Sequence, residues 1–434
     1  MFQLPYGTSF IPCRLEHVPY DWIRYHDPLS SGKPAGPDDL ERALDRPIAS
    51  PPLDQLARGK SRAVILISDS SRLVPTADFL ELLVNRLNRA GLPDSRIQVI
   101  VALGLHRKQT DDELIQLAGE RVRNRVQVLN HSALEEHCIL VGHTSRGTPV
   151  EINRHVVEAD LRIATGNIEP HRLVGISGGV KALVPGAASR RFIEAHHAMS
   201  RQYKAEPGNP DNPLHRDLEE AAALVPLHFL FNVIVNHERK IVKAVCGEVT
   251  AAHRAGVEWA RRMFTVPAAK QYDVVIVSPG GHPKDMHLYQ TIKTLQNAAQ
   301  IAKPGGRIIC AARCEEHYGN GVLQSWIETI HDPDIMLEKL SKQFVPGAHK
   351  VEHIRKLVGE HRVYLYSQLP PPAAKLAGFD PVENLQALLD EIDREGRERK
   401  LSVAVMPFGA LTFPVRPSTE TDKNPSLIAE EMKE

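Results

Sequence analysis

An excess of charge of either sign is the first thing this sequence lacks. Lys and Arg together number 53, as do Asp and Glu, so the formal net charge is zero. Without a basic excess there is little to neutralise a phosphate backbone or an anionic lipid surface, which argues against nucleic-acid and membrane partners. Cysteine is scarce. Cys13, Cys138, Cys246, Cys310 and Cys314 are odd in number and scattered, and they suggest no disulfide framework. Cys310 and Cys314 share "CAARC" with no second cysteine pair, so both read as packing residues. No apolar run reaches membrane-spanning length. The opening "MFQLPYGTSF" has neither the basic nor the apolar segment of an export signal, and a reduced cytoplasm is the expected setting. Internal repeats and low-complexity blocks are missing too.

What is present is the composition of a soluble globular protein, 42% hydrophobic and 24% charged. A length of 434 residues predicts two domains. Histidine stands out at 21 residues and raises the expectation of metal or proton-transfer chemistry.

Short apolar runs alternate with amphipathic helical stretches. "AVILIS" (63–68) predicts a buried strand, followed by the polar loop "DSSRLVP" and a helix over 77–90 that ends on Gly91. "RIQVIVALG" and "LRIATG" predict further strands, and "HFLFNVIVN" with "KIVKAVCGE" a hairpin. A second series follows: "YDVVIVSPGG", a helix through "LYQTIKTLQNAAQIA", "GGRIICAA", "RVYLYS" and "LSVAVMPFG". Buried strands alternating with helices imply an α/β protein with mostly parallel sheets. The expected division is an N-terminal α/β domain over 1–265, a C-terminal α/β domain over 270–405, and a segment 406–434 whose last part is mobile. The active-site cleft is expected between the two domains.

In parallel sheets, ligands bind at the carboxyl ends of strands. The loops there hold Asp69 and Arg72, His106, Glu169 and His171, and "SPGGHPKD". Imidazole exchanges protons near neutral pH, and a guanidinium grips a carboxylate with two hydrogen bonds. Each of these residues also has a bland reading, as a structural histidine or a surface salt bridge. "GISGGVKA" resembles a phosphate-binding loop, but Val180 precedes Lys181 and Ala182 follows it, so the P-loop pattern is broken. Its glycines still allow close approach to a phosphate or a flat cofactor. His196 and His197 lie on the helical "SRRFIEAHHAMS". Neighbouring helix positions point about 100° apart, so one of the pair is a candidate ligand and the other a surface residue. No HExxH is present, and a zinc site made wholly of protein ligands is not expected. Tyr289 and Lys293 share one helix face, with Gln290 beside Tyr289.

Taken together, "SDSSRLVP", "ALGLHR", "IEPHRLVGISGGVKALVPG", the following "HH" and "GGHPKDMHLYQTIK" resemble the lactate racemase family in order and spacing. This family comprises the nickel-pincer-nucleotide-dependent 2-hydroxyacid racemases and epimerases, and the similarity runs from "LPYG" to about "VAVMPFG". The resemblance implies a pyridinium mononucleotide whose two sulfur-bearing arms and ring carbon clamp nickel. Lys181 matches the lysine joined to one arm by a thioamide, and His197 the histidine that completes the nickel coordination. His106 and His171 match the two acid–base histidines. In the implied mechanism hydride leaves C2 for the cofactor, a 2-keto acid forms, and hydride returns to its other face. Arg72 and Lys293 match residues that bind the substrate or stabilise its keto form. Asp69, Tyr289 and Gln290 match further site positions, and Ser177, Gly178 and Gly179 form the cofactor loop. Cofactor maturation enzymes are the implied protein partners.

The chain departs from the family where D-x-T-R-P becomes Asp69-Ser70-Ser71-Arg72-Leu73. In "PGAHKVEH", His349 stands where lactate racemase has a tryptophan beside the substrate. That change points to a 2-hydroxyacid larger or more polar than lactate, for example a sugar acid. Strict lactate racemisation is the nearest alternative. A non-catalytic nucleotide-binding module and an NTPase are the rivals from other classes.

Overall fold

A computed structural model of the chain describes residues 1–268, 270–330, 332–342 and 345–415. The tail expected to be mobile lies outside these residues from position 416. The chain divides into two compact units. The larger comprises His26–Phe264 and Leu340–Pro346; the smaller comprises Met1–Tyr25, Thr265–Lys339 and the described residues from Gly347 to Val415. Each holds a six-stranded, mostly parallel sheet. Among the described residues no helix is long and apolar enough to cross a membrane.

In the larger unit the strand order is Ile241–Gly247, Phe229–Val235, Leu161–Asn167, Ala63–Ile67, Ile97–Val101 and Gln127–Asn130. Every neighbouring pair is parallel except the Phe229–Val235 and Ile241–Gly247 hairpin. All five residues of "AVILI" in Ala63–Ile67 are buried. A strand covered on both faces has no solvent side, so its sequence is an unbroken apolar run rather than an alternating one. The helix Ala77–Arg89 buries Phe79, Leu80, Leu83, Val84 and Leu87 along one face. Its end is closed at Gly91, which takes a φ of 95°. There the Gly91 N–H bonds Asn88 O at 2.9 Å and the Leu92 N–H bonds Leu87 O at 3.2 Å.

This strand order fixes where a ligand can sit. From Ala63–Ile67 the chain proceeds outward to Ile97–Val101 and Gln127–Asn130, then crosses over to lay Leu161–Asn167 on the other flank. The direction of winding reverses at Ala63–Ile67. The carboxyl ends of strands at such a reversal open a crevice that no crossover helix covers.

The smaller unit orders its strands Asp380–Pro381, Arg362–Tyr366, Ala302–Ala311, Tyr272–Val277, Val403–Met406 and Tyr20–Trp22, all parallel. The last of these comes from the N-terminus and corrects the expected domain boundary: residues 1–25 belong to the smaller unit rather than to a 1–265 domain. The physical reason is visible in the packing. Phe2, Leu4, Cys13, Leu15 and Val18 share a core with Val274, Ile276 and Ile309. The "LPYG" turn is also latched to "SPGGHPKD". The Gly7 N–H donates to Asp285 Oδ2 at 2.7 Å, the His282 N–H donates to Gly7 O at 2.8 Å, and the Ser278 hydroxyl donates to Pro5 O at 2.5 Å.

A second latch is a single carboxylate. Asp393 Oδ1 accepts the backbone N–H groups of Glu16, His17 and Val18 at 3.1, 2.8 and 3.0 Å. Burial opposes the charge on Asp393, but these donors and His17 hold its carboxyl below the ordinary value. Its contribution to stability is therefore present above the ordinary carboxylate range and is lost as pH falls through the folded value. Asp393→Ala is expected to destabilise the smaller unit by about 1–3 kcal/mol and to speed amide exchange at residues 16–18. Unchanged exchange at these amides contradicts the assignment.

Candidate active site

Two loops meet at the reversal point. Ala63–Ile67 runs into Asp69, and Ile97–Val101 runs into the turn that carries His106. Asp69 is buried, and its Oδ2 lies 2.9 Å from His106 Nδ1. Its Oδ1 accepts the Ser71 N–H at 2.8 Å and also the Ser71 hydroxyl. Burial works against the Asp69 charge. The bond to His106, the charges of His106 and Arg72 and the Ser71 hydroxyl outweigh it and hold the carboxyl well below its ordinary value. An ionised carboxylate only accepts hydrogen bonds, so a neutral His106 carries its proton on Nδ1 and keeps the lone pair on Nε2. The His106 side chain is 36% exposed, so this pairing presents an accessible base. Leu73, where the family pattern has proline, is buried, and the Arg72 N–H bonds Asp69 O at 3.1 Å. The loop is thus held by a turn and an apolar anchor.

Across the reversal point, Pro170–His171 pairs antiparallel with Gly175–Ile176. In this tight hairpin His171 Nδ1 accepts the N–H groups of Leu173 and Val174 at 3.2 and 3.4 Å. A neutral His171 held in this way carries its proton on Nε2. In their neutral forms the two predicted acid–base histidines therefore take opposite tautomers, one offering a lone pair and the other an N–H.

The glycine-rich loop follows. Ser177 Oγ accepts the Glu169 N–H at 2.8 Å and donates to Asn167 O at 2.8 Å. Gly178 and Gly179 take φ values of 76° and 57°. A Cβ on Gly178 would stand 2.6 Å from Asn232 Oδ1, and one on Gly179 2.8 Å from His253 Cγ, so neither position admits a side chain. Asn232 Oδ1 accepts the Gly179 N–H at 2.7 Å, and His253 Nε2 donates to Ser177 O at 2.9 Å. Asn232 and His253 support this loop from beneath, and sequence reasoning did not point to them. The available signal was a lone polar residue inside the apolar "FLFNVIV" and a lone histidine on the buried face of Val249–Phe264.

The loop delivers Lys181 at a partly buried position in the turn Gly179–Ala182. Burial pushes its ammonium down to about 7; the Arg72 charge adds to this and Glu169 opposes it. Near neutral pH a large share of Lys181 is therefore the free, nucleophilic amine. Arg72 acts on both Asp69 and Lys181, so the structure gathers these residues and His106 in one neighbourhood.

Ser189 caps the helix Arg190–Ala198, its Oγ accepting the Phe192 N–H at 3.1 Å. His196 is not a surface residue. It is fully buried, its ring lies parallel to Phe192 at 5.9 Å, and its Nε2 donates to Leu214 O at 2.9 Å. Burial lowers its pKa, with the Lys181 charge among the smaller contributions. His197 is partly buried, and its Nδ1 stands 3.4 Å from His196 Nδ1. The two side chains leave the helix in different directions, yet their rings meet. Among the described residues no group of three or more His, Cys, Asp or Glu is placed to hold a metal ion.

The remaining predicted residues lie on the smaller unit. His287 caps the helix Leu288–Ala299, its Nδ1 accepting the Gln290 N–H at 3.2 Å, and Gln290 is buried. Lys293 is one turn beyond Tyr289 on that helix. The Tyr289 ring meets His349 edge-on at 6.4 Å, and Lys350 Nζ lies 5.4 Å from its centre. His349 opens the helix His349–Glu360, and its Nδ1 accepts the Gly347 N–H at 3.2 Å.

Comparison with known proteins places this geometry. Residues 6–208 match the lactate racemase N-terminal domain and residues 267–409 the lactate racemase C-terminal domain. The chain is 32% identical over 430 residues to the lactate racemase of Lactiplantibacillus plantarum, covering 94% of this chain and 98% of that protein. It is 35% identical over 336 residues to the lactate racemase of Thermoanaerobacterium thermosaccharolyticum, covering 76% and 78%. The structure of the lactate racemase apoprotein from T. thermosaccharolyticum superposes with a TM-score of 0.83 at 30% identity, over 95% of this chain and 99% of that one. A Thermotoga maritima protein shares the fold at a TM-score of 0.69 and 19% identity, over 89% and 99%. The gathered histidines, arginine and lysine are thus set in a chain that belongs to the lactate racemase family and is an isomerase of the racemase type.

Proposed function

We propose that this chain inverts C2 of a 2-hydroxycarboxylic acid by way of a 2-keto acid. The observation that carries this reading is the Asp69–His106 pair standing beside Arg72, which also helps push the Lys181 ammonium down to about 7. Removing the hydroxyl proton and the C2 hydride leaves a keto acid planar at C2, and returning hydride to the opposite face with a proton to oxygen gives the inverted configuration at C2. His106 takes the hydroxyl proton on Nε2, and Asp69 orients the ring and stabilises the imidazolium that forms. His171 gives its Nε2–H to the oxygen in the inverted position. To serve there as an acid it first takes a second proton on Nδ1 from solvent, as that nitrogen leaves the Leu173 and Val174 N–H groups, and His106 releases to solvent the proton it took, so the protons balance. Arg72 grips the substrate carboxylate. Tyr289, Gln290, Lys293 and His349 are assigned to the substrate.

The nickel-pincer nucleotide is the cofactor that family membership favours, and the chain's residues fit it. A lysine with a pKa of about 7 suits an amide-type link, the side-chain-free backbone of Gly178 and Gly179 suits close approach, and His197 offers an imidazole to a metal that finds no all-protein site among the described residues. When bound, that group supplies the hydride acceptor that no side chain can be. The protein's task is orientation and proton transfer, and maturation enzymes are the partners required. The pairing of His349 with Tyr289 supports a substrate more polar than lactate, such as a sugar acid. Lactate itself is the second reading, favoured by the names of the relatives. Turnover of D-gluconate above D-lactate supports the first, and the reverse order supports the second.

Chain produced together with its maturation enzymes is expected to carry a covalent adduct on Lys181 and about one nickel per chain, with neither in Lys181→Met. Active protein with an unmodified Lys181 contradicts this. In loaded protein, His106→Gln is expected to lower kcat by about 10²–10⁴-fold. Asp69→Asn is expected to lower kcat far more than it raises KM. A His106→Gln variant within a few-fold of the parent rules out its role as base.

A further inference from the structure

His197 has a neighbour that the proposed reaction does not use. His196 is fully buried, and its ring lies parallel to that of Phe192, with an interplanar angle of 3°. Its Nε2 faces the carbonyl of Leu214 at 2.9 Å. A carbonyl oxygen only accepts, so Nε2 carries a proton. In its neutral form His196 has a single ring proton, and the Leu214 carbonyl claims it. Its Nδ1 is therefore a lone pair. The contact of 3.4 Å between the two Nδ1 atoms is then a hydrogen bond in one direction, from His197 to His196. With its proton on Nδ1, His197 has its lone pair on Nε2.

We propose that His196 is a positioning residue: it fixes His197 in the Nδ1–H tautomer and so makes Nε2 the metal-ligating nitrogen. The inference rests on the reading of His197 as the nickel ligand. A ligating imidazole ordinarily donates its other N–H to a carboxylate or carbonyl, which sets ring orientation and basicity. Here a second imidazole takes that place, itself pinned by Leu214 O. The observed relay runs from the Leu214 carbonyl through His196 to His197, whose Nε2 would hold the metal. Leu214 lies in the first turn of Pro213–Leu224, where Asn212 Oδ1 accepts the His215 N–H at 3.0 Å, so the far end of the chain is anchored to a capped helix. Adjacent histidines serve because one is turned into the core and the other is left on the rim, while their rings still touch.

The test has two arms. In cofactor-free protein labelled with ¹⁵N-histidine, NMR reads the tautomer of His197. Parent protein and His196→Asn, which keeps an acceptor oxygen near the Nδ1 position, are expected to show His197 protonated on Nδ1. His196→Phe keeps the aromatic packing on Phe192 and removes the acceptor, and it is expected to move His197 toward the Nε2–H form. In loaded protein, His196→Phe is expected to lose nickel to a chelator about 10–100-fold more readily, with the mass of the Lys181 adduct unchanged. A folded His196→Phe with the parent's tautomer and nickel retention overturns the proposal. So does a parent His197 protonated on Nε2, which decides the matter even if His196→Phe does not fold. Parent protein that gains neither adduct nor nickel defeats the reading of His197 as ligand, while the tautomer arm still reports whether His196 governs its neighbour.

Discussion

A lysine whose charge the fold disfavours is the constraint on which this site depends. Lys181 meets burial and the positive charge of Arg72 together, and Glu169 offsets only part of the effect. An ammonium in such a place is disfavoured, and the amine that remains is the form able to make a covalent link. The arrangement needs rigid backing, since a lysine stem free to swing into water regains its ordinary basicity. That backing comes from beneath the loop. Asn232 holds Gly179, His253 holds Ser177, and both stand where a Cβ on Gly178 or Gly179 would collide with them.

The same economy governs the histidines. Each is given its tautomer by a partner that can only accept or only donate. Asp69 takes the Nδ1 proton of His106, backbone N–H groups occupy Nδ1 of His171, and Leu214 takes the Nε2 proton of His196. The chemical roles of otherwise identical side chains are thus written into the backbone and one carboxylate. The topology gathers these partners because the larger unit's sheet reverses its winding at Ala63–Ile67. Loops distant in sequence emerge there side by side.

Much of this was legible in the sequence. "AVILIS", "RIQVIVALG" and "LRIATG" announce their strands because doubly covered parallel strands are apolar throughout, and the strand ends then name Asp69, His106 and His171 as candidates. The combined order and spacing of "SDSSRLVP", "ALGLHR", "IEPHRLVGISGGVKALVPG", the following "HH" and "GGHPKDMHLYQTIK" carried the family resemblance. Other features were not legible, each for a physical reason. Tyr20–Trp22 is a three-residue edge strand, too short and too exposed to mark itself, so the docking of the N-terminus onto the smaller unit was missed. Asn232 and His253 act through contacts made only when a strand and a helix pack under a loop remote in sequence. The burial of His196 depends on Phe192 and on the Leu214 carbonyl, which helical geometry alone does not reveal.

The most direct measurement is the pH dependence of Lys181 acylation in cofactor-free protein, followed by mass spectrometry of the peptide that contains it. The account predicts a reactivity midpoint near 7. A midpoint near the ordinary lysine value of 10.5 contradicts it, because the fold would then leave Lys181 charged where an amine is required.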